Sequence, residues 1–325
     1  MYAERIDVSP NRTVSTTNGR DKRQGLGSYI RKYNAFYVML IPGLLYFFVF
    51  KYLPLIGSVI AFQDYNFMLG LEGFWKSPWV GLKHFEAIFE YPHLRNIVWN
   101  TIILSIYQIV FSFPAPIILA LLLNEIRMMA AKRVLQTIVY LPHFFSWTVV
   151  FGFSFMLLSS RGLVNELIGS LGGEPIMFLQ SVDHFRSIMV ISGMWKEMGW
   201  SAIIYLAAIA GISPSLYEAA KMDGAGRWKQ FVHITMPGLL PTVMILLLLR
   251  VGNVLEIGFE QVFVFQNPAN LPVSEILDTY AYRTGIQTGL YSVTAAIGLF
   301  KSLVGMTLLL FANRISKSTT GESIY

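Results

Sequence analysis

Gly193, Lys196, Glu197 and Trp200 stand at i, i+3, i+4 and i+7 inside a largely apolar run, so a helix places them on one face. Trp195 lies beside that face. An indole next to a charged pair suits a carbohydrate: the ring stacks on the apolar face of a pyranose, and the polar groups bind its hydroxyls. The plainer alternative is that Lys196 and Glu197 pair with neighbouring helices while Trp200 packs in a bundle. A second polar stripe, Arg250, Asn253 and Glu256, continues to Glu260 along another apolar run. It suits either substrate contact or salt bridges to a neighbouring subunit. Charged groups within apolar runs are costly and tend to face a pore or a partner. On that ground Trp195, Lys196, Glu197, Trp200, Asn253 and Glu256 are expected along a substrate path. Asn100, Gln108 and Ser112, at spacings of four and eight, read instead as hydrogen bonds within a bundle.

Other chemistries find no support. No G-x-x-x-x-G-K-[ST] motif occurs, so this chain carries no ATPase of its own. Histidines 84, 93, 143, 184 and 233 are scattered without metal-ligand spacing, and there is no cysteine. The glycines around Ser192 and Ser201 are not spaced for a nucleophile elbow. Acids such as Glu72, Glu86, Glu174, Glu275 and Asp278 show no acid/base pairing. The chain is therefore expected to be no enzyme and to bind no metal or cofactor itself.

The elements that position these residues follow from composition. Of 325 residues, 54% are hydrophobic and 14% charged, with mean hydropathy +0.52. Soluble domains carry about 25% charged residues, so the chain reads as an all-α membrane protein. Six apolar runs of spanning length occur, at roughly 35–61, 97–123, 136–158, 187–211, 238–257 and 289–312. The first is long enough to be a retained span rather than a cleaved leader. Pro114 and Pro116 are expected to kink the second. The connection 62–96 is rich in aromatics that favour the membrane interface, and short helices are expected there. Residues 1–34 and 314–325 read as polar tails flanking a transmembrane domain over 35–313. The net charge of +6 raises the question of nucleic acid. Of the 25 Lys and Arg, 15 fall on the side that holds both termini and only six in the loops opposite. That bias explains the charge without nucleic acid and puts both termini in the cytoplasm.

One stretch on that side, Pro214–Pro241, is amphipathic and punctuated. Ser215 and Glu218 have capping-box spacing, and Pro214 offers a competing helix start one residue earlier. The helix is expected to end at about Met222, broken by Asp223-Gly224. Trp228, Phe231 and Val232 give a second short helix an apolar face. The physical reading is a docking surface or a helix resting on lipid.

Glu218-Ala219-Ala220, three residues, Gly224, nine residues, Ile234, one residue, then Met236-Pro237 resembles the EAA signature of ABC importer permeases. Only the signature's leucine departs, replaced by Met236. The resemblance reaches over most of residues 30–315. The run 39–63, with Asp64-Tyr65-Asn66 and Trp79-Val80-Gly81-Leu82-Lys83-His84-Phe85, is similar to the subgroup that serves complex oligosaccharides and polysaccharides, alginate importers included.

The resemblance implies a type I importer permease fold with six transmembrane helices in a bacterial inner membrane. It implies a second permease subunit, two ATPase subunits that use ATP and Mg, an extracytoplasmic solute-binding protein and an oligosaccharide cargo, large or anionic. It makes 213–236 the coupling segment. Glu218 would bond to a groove on the ATPase, Ala219 and Ala220 allow close approach, and Asp223, Gly224 and Ala225 form the turn. The rival readings are an ion-coupled secondary transporter, against which the absence of inverted repeats speaks, and a membrane-bound glycan enzyme.

Overall fold

A computed structural model describes residues 32–319 and residue 321. Most of the expected N-terminal tail, residue 320 and residues 322–325 lie outside the described residues. Those described form helices and connecting turns, with one isolated bridge, Gln63 to Trp79. The chain divides into two units, Met1–Gly57 and Ser58–Tyr325. In the first, the helix Asn34–Phe47 continues through a wide turn at Phe48–Tyr52 into Leu53–Gly57. Its apolar side chains are exposed along its length, as suits a helix whose solvent is lipid.

Five helical segments are long and apolar enough to cross a membrane: Asn34–Phe62, Pro92–Asn124, Trp147–Ser170, Arg227–Gly252 and Tyr291–Ser318. A sixth passes only when Val182–Ala210 is joined to Pro214–Met222, across a bend of 62°. Val182–Ala210 alone falls short; Lys196 and Glu197 lie in its interior. It nevertheless buries ten residues, among them Phe185, Ile188, Met189, Ala202, Tyr205 and Ile209.

Three apolar clusters hold the second unit together. Leu104, Phe185, Ile188, Met189, Val262 and Phe265 belong to one. Ile88, Ile97, Leu255, Leu277 and Ile297 belong to another. Ala120, Ala202, Tyr205, Ile209 and Leu239 make the third. Each joins helices far apart in sequence. Close backbone approach supplements them where glycine removes the side chain. A Cβ on Gly199 would lie 1.8 Å from the Val139 carbonyl oxygen, and one on Gly305 2.3 Å from that of Gly252.

Several boundaries differ from the sequence expectation. The run 136–158 is not one helix. Met129–Tyr140 and Trp147–Leu158 are separated by a tight turn at Leu141–Phe144 and by Ser146, whose hydroxyl caps Val149 N at 3.4 Å. Pro142 supplies no N–H and Ser146 offers a cap, so the chain restarts there. The fifth run ends at Gly252, not residue 257, and helix resumes at Phe259. Between them Gly258 takes φ 106°, a conformation disfavoured for other residues. The second run has a wide turn at Gln108–Ser112, just before Pro114.

Candidate transport cavity and coupling segment

A cavity of about 450 Å³ opens between the first and third clusters. Its wall includes Gln108, Trp147, Glu197, Tyr205, Arg250 and Gln261. The volume lies within the range of about 300–1,000 Å³ usual for small-molecule sites. The unwound segment after Gly252 contributes Ile257 and Gly258 to the wall. Non-helical backbone at membrane depth is tolerated where protein satisfies it, and three carbonyls here have partners. Ser105 Oγ donates to Val254 O. Gln108 Nε2 donates to Ile257 O at 3.2 Å, and the Arg250 guanidinium to Glu256 O at 3.4 Å. Gln108 Oε1 accepts a further hydrogen bond from Arg250. Arg250 thus faces the cavity held by neutral acceptors.

The other charged lining residue, Glu197, is bound differently. His143 Nδ1 lies 2.8 Å from Glu197 Oε2, and Lys196 Nζ 3.0 Å from Oε1. Lys196 Nζ also donates to the His143 carbonyl at 2.7 Å and sits 5.4 Å from the centre of the Trp147 ring. Lys196 is only 6% exposed. An unpaired charge so placed costs several kcal/mol, which explains why carboxylate, carbonyl and π face all converge on it. The His143 and Trp200 rings stack at 4.6 Å with 3° between their planes, a contact worth about 0.5–1.5 kcal/mol beyond area burial.

The six residues expected along a substrate path therefore separate. Glu197 lines the cavity. Lys196 stands behind the wall, and Trp200 packs on His143 and, edge-on, on Phe144. Trp195 lies in a distinct apolar groove beside Phe145 and Phe153. Asn253 and Glu256 line a smaller recess with Lys301, and Lys301 pairs with Asp278. The separation has a simple cause: i+3 and i+4 neighbours diverge across a face that several helices meet. Gln108 is a wall residue as well as a bundle hydrogen-bonder. His143 and Gln261 were not legible in the sequence. Gln261 donates to Met189 O at 2.7 Å and to Ser192 Oγ at 3.1 Å. Such partners lie 54 to 72 residues apart, and no linear spacing records them. The only local hint was Pro142 beside His143, a break within an apolar run.

The Pro214–Met222 helix begins after Ser213, with Pro214 in its first turn. The capping box expected of Ser215 and Glu218 is absent: no side chain caps this end, and Ser215 Oγ pairs with Ser213 Oγ at 2.8 Å. Proline's fixed φ starts the helix one residue earlier, which moves Ser215 inside it. Gly224 takes φ 73°, and Ala225 N donates back to Ala220 O at 2.8 Å, closing the turn. A short helix, Arg227–Gln230, follows, with Trp228 packed on Phe231 at 5.2 Å. Tyr217 and Thr235 join the two arms through their hydroxyls at 3.0 Å. Glu218, Ala219, Asp223 and Gly224 are exposed, and Ala220 and Ala225 half-buried. Beside them Met222 is 88% and Trp228 73% exposed. The segment therefore presents a carboxylate, small residues and apolar tips on a braced bend.

The family described as "Binding-protein-dependent transport system inner membrane component" matches residues 87–320. The polygalacturonan/rhamnogalacturonan transport system permease protein YteP of Bacillus subtilis (strain 168) is 47% identical over 307 residues, 94% of this chain and 95% of that protein. Protein LplB of the same organism is 48% identical over 290 residues, 89% of this chain and 90% of that one. Among solved structures, a chain of a bacterial alginate ABC transporter, in complex with an alginate pentasaccharide-bound periplasmic protein, is similar with TM-score 0.84 and 37% identity. That match covers 92% of this chain and 99% of the other.

Proposed function

The chain belongs to the binding-protein-dependent transport system inner membrane components and is the permease subunit of a sugar ABC importer; on that premise we propose that its cargo is an acidic oligosaccharide, moved through the Glu197–Arg250 cavity. The fold is that of a type I importer permease, an inner-membrane protein of several spans. Permeases of this family work with a partner permease, ATPases and a solute-binding protein, and are not themselves enzymes. For this chain we assign one further permease, two ATPases that use ATP and Mg, and cytoplasmic termini. The 15-to-6 division of basic residues supports that sidedness.

The observation that carries the cargo assignment is Arg250: a guanidinium in the cavity wall, held by Gln108 and a carbonyl rather than by a carboxylate. Buried guanidinium groups suit carboxylate recognition because their planar fork pairs with two oxygens. The polymers in the names of the relatives, polygalacturonan and alginate, are chains of uronates, which accords with that chemistry.

In the mechanism the loaded binding protein docks outside. ATP binding closes the ATPase pair, and the motion enters through Glu218, Ala219, Ala220, Asp223, Gly224 and Ala225. It travels up the Val182–Ala210 helix, which ends at the 62° bend and carries Glu197 in its interior. The cavity then opens outward, takes the sugar, and resets on hydrolysis. Import of a galacturonate oligosaccharide and of its carboxyl-reduced form by the reconstituted complex tests the cargo. Arg250→Gln is expected to lower import of the acid on the order of tenfold and to leave the reduced form within about twofold. Equal losses for both sugars would remove the acidic assignment.

A further inference from the structure

The cavity wall contains an apparent contradiction. If the cargo is anionic, Glu197 is a like charge in its path. We propose that Lys196 is a built-in counter-charge that silences Glu197, with His143 as the carboxylate's second hydrogen-bond partner, so that the wall offers Glu197 as a hydroxyl acceptor and Arg250 as its acting charge. This rests on the acidic-cargo reading given above.

Three observations carry it. First, Lys196 is not part of the wall. It is almost fully buried, its ammonium lies over the ring of Trp147, and Trp147 rather than Lys196 lines the cavity, so Lys196 does not meet a sugar directly. Second, each Glu197 oxygen has its own partner: Oε1 faces Lys196 at 3.0 Å, and Oε2 faces His143 at 2.8 Å. A carboxylate oxygen retains acceptor capacity after one such bond, so Glu197 still accepts from hydroxyls. Third, the two cations are tied differently. Lys196 is spent on a carboxylate, whereas Arg250 is held by the Gln108 amide and the Glu256 carbonyl. The Glu256 carboxylate also acts on Arg250 through space, and Glu256 lines the smaller recess with Lys301. The assembly is fixed from behind. Lys196 donates to the His143 carbonyl, and the His143 ring is stacked on Trp200. A single backbone turn, Leu141–Phe144, thus supplies both a partner for the ammonium and a partner for the carboxylate.

Lys196 is therefore a positioning and specificity residue and makes no contact with cargo. Its removal unmasks Glu197, and removal of both charges together restores the balance. The test uses the complete reconstituted importer with the galacturonate oligosaccharide and its carboxyl-reduced form. Lys196→Met is expected to lower import of the acid on the order of tenfold, the effect of one unit charge a few ångström away, while the reduced sugar changes by no more than about twofold. Lys196→Met with Glu197→Gln is expected to bring the acid back to within about threefold of wild type, and Lys196→Arg to retain most of it. A merely structural lysine gives the opposite pattern: both sugars fall together and Glu197→Gln does not rescue. That result overturns the proposal, as does loss of membrane insertion in the double variant while Lys196→Arg inserts. If wild type itself imports both sugars equally, the acidic-cargo reading fails instead. If wild type discriminates and Lys196→Met discriminates equally well, only the counter-charge fails.

Discussion

Gly224 shows how much a single residue fixes here. It sits at φ 73°, and an added Cβ would meet no atom within 4 Å. The cost of replacing it is therefore backbone strain alone, about 1–2 kcal/mol. Gly224→Val is expected to insert normally yet abolish stimulation of ATP hydrolysis by the loaded binding protein. Gly224→Asn, which tolerates the left-handed region better, retains a measurable part of it. Equal loss in both variants would show that the turn's conformation is not what matters. Glu275 offers a test outside the spans. Its carboxyl lies buried between Arg283 and His93, the latter at 3.2 Å. Burial raises its pKa above the usual 4.5, against the pull of Arg283 and then His93. The folded state thus holds this proton more tightly than the unfolded state does. Its stabilising share is complete below about pH 4.5 and is lost as pH rises through the folded value. Thermal unfolding of Glu275→Gln should accordingly gain on wild type from pH 4.5 to 7, and a gain that shrinks over that range contradicts the sign. At this scale the sequence was informative where a residue acts through its own backbone, as Gly224 does. It was silent where a partner is distant, as with His143 and Glu197. The capping box failed because two start signals competed and proline's covalent constraint outweighed a side-chain bond.

Among the elements, the junction of Met129–Tyr140 with Val182–Ala210 governs the cavity wall. Gly199 lets these helices approach until a Cβ would stand 1.8 Å from the Val139 carbonyl. That approach delivers the next turn, and with it His143, to Glu197. Gly199→Ala must push the helices apart. The expected cost is about 1–3 kcal/mol, with loss of sugar import and of the His143–Trp200 stack. A tryptophan emission spectrum and transport rate equal to wild type would contradict the role. Element existence was legible from apolar runs because lipid demands them. Element ends were less so. The break at Leu141–Ser146 joins Pro142, a serine cap and a close glycine contact, of which only the first two are written locally. The unwound segment 253–258 is stabilised by Ser105 and Gln108 from another helix, so its sequence reads as though the helix continued.

For the whole molecule, the EAA spacing made the kind of machine legible through its resemblance to a known family, while the division of charge supports the proposed sidedness. The cavity was legible only in part, because a wall is assembled from helices whose contacts leave no periodicity. Six residues were expected on the path and one, Glu197, lines the cavity that Arg250 faces. The central claim is that Pro214–Met222 and its bend receive a cytoplasmic ATPase carried by another chain. The chain's lack of cysteine makes a direct measurement possible. Ala219→Cys in the intact complex should crosslink to an ATPase subunit, change its yield when ATP binds, and resist an impermeant maleimide added from outside. Labelling from outside, with no crosslink to the ATPase, would contradict the account.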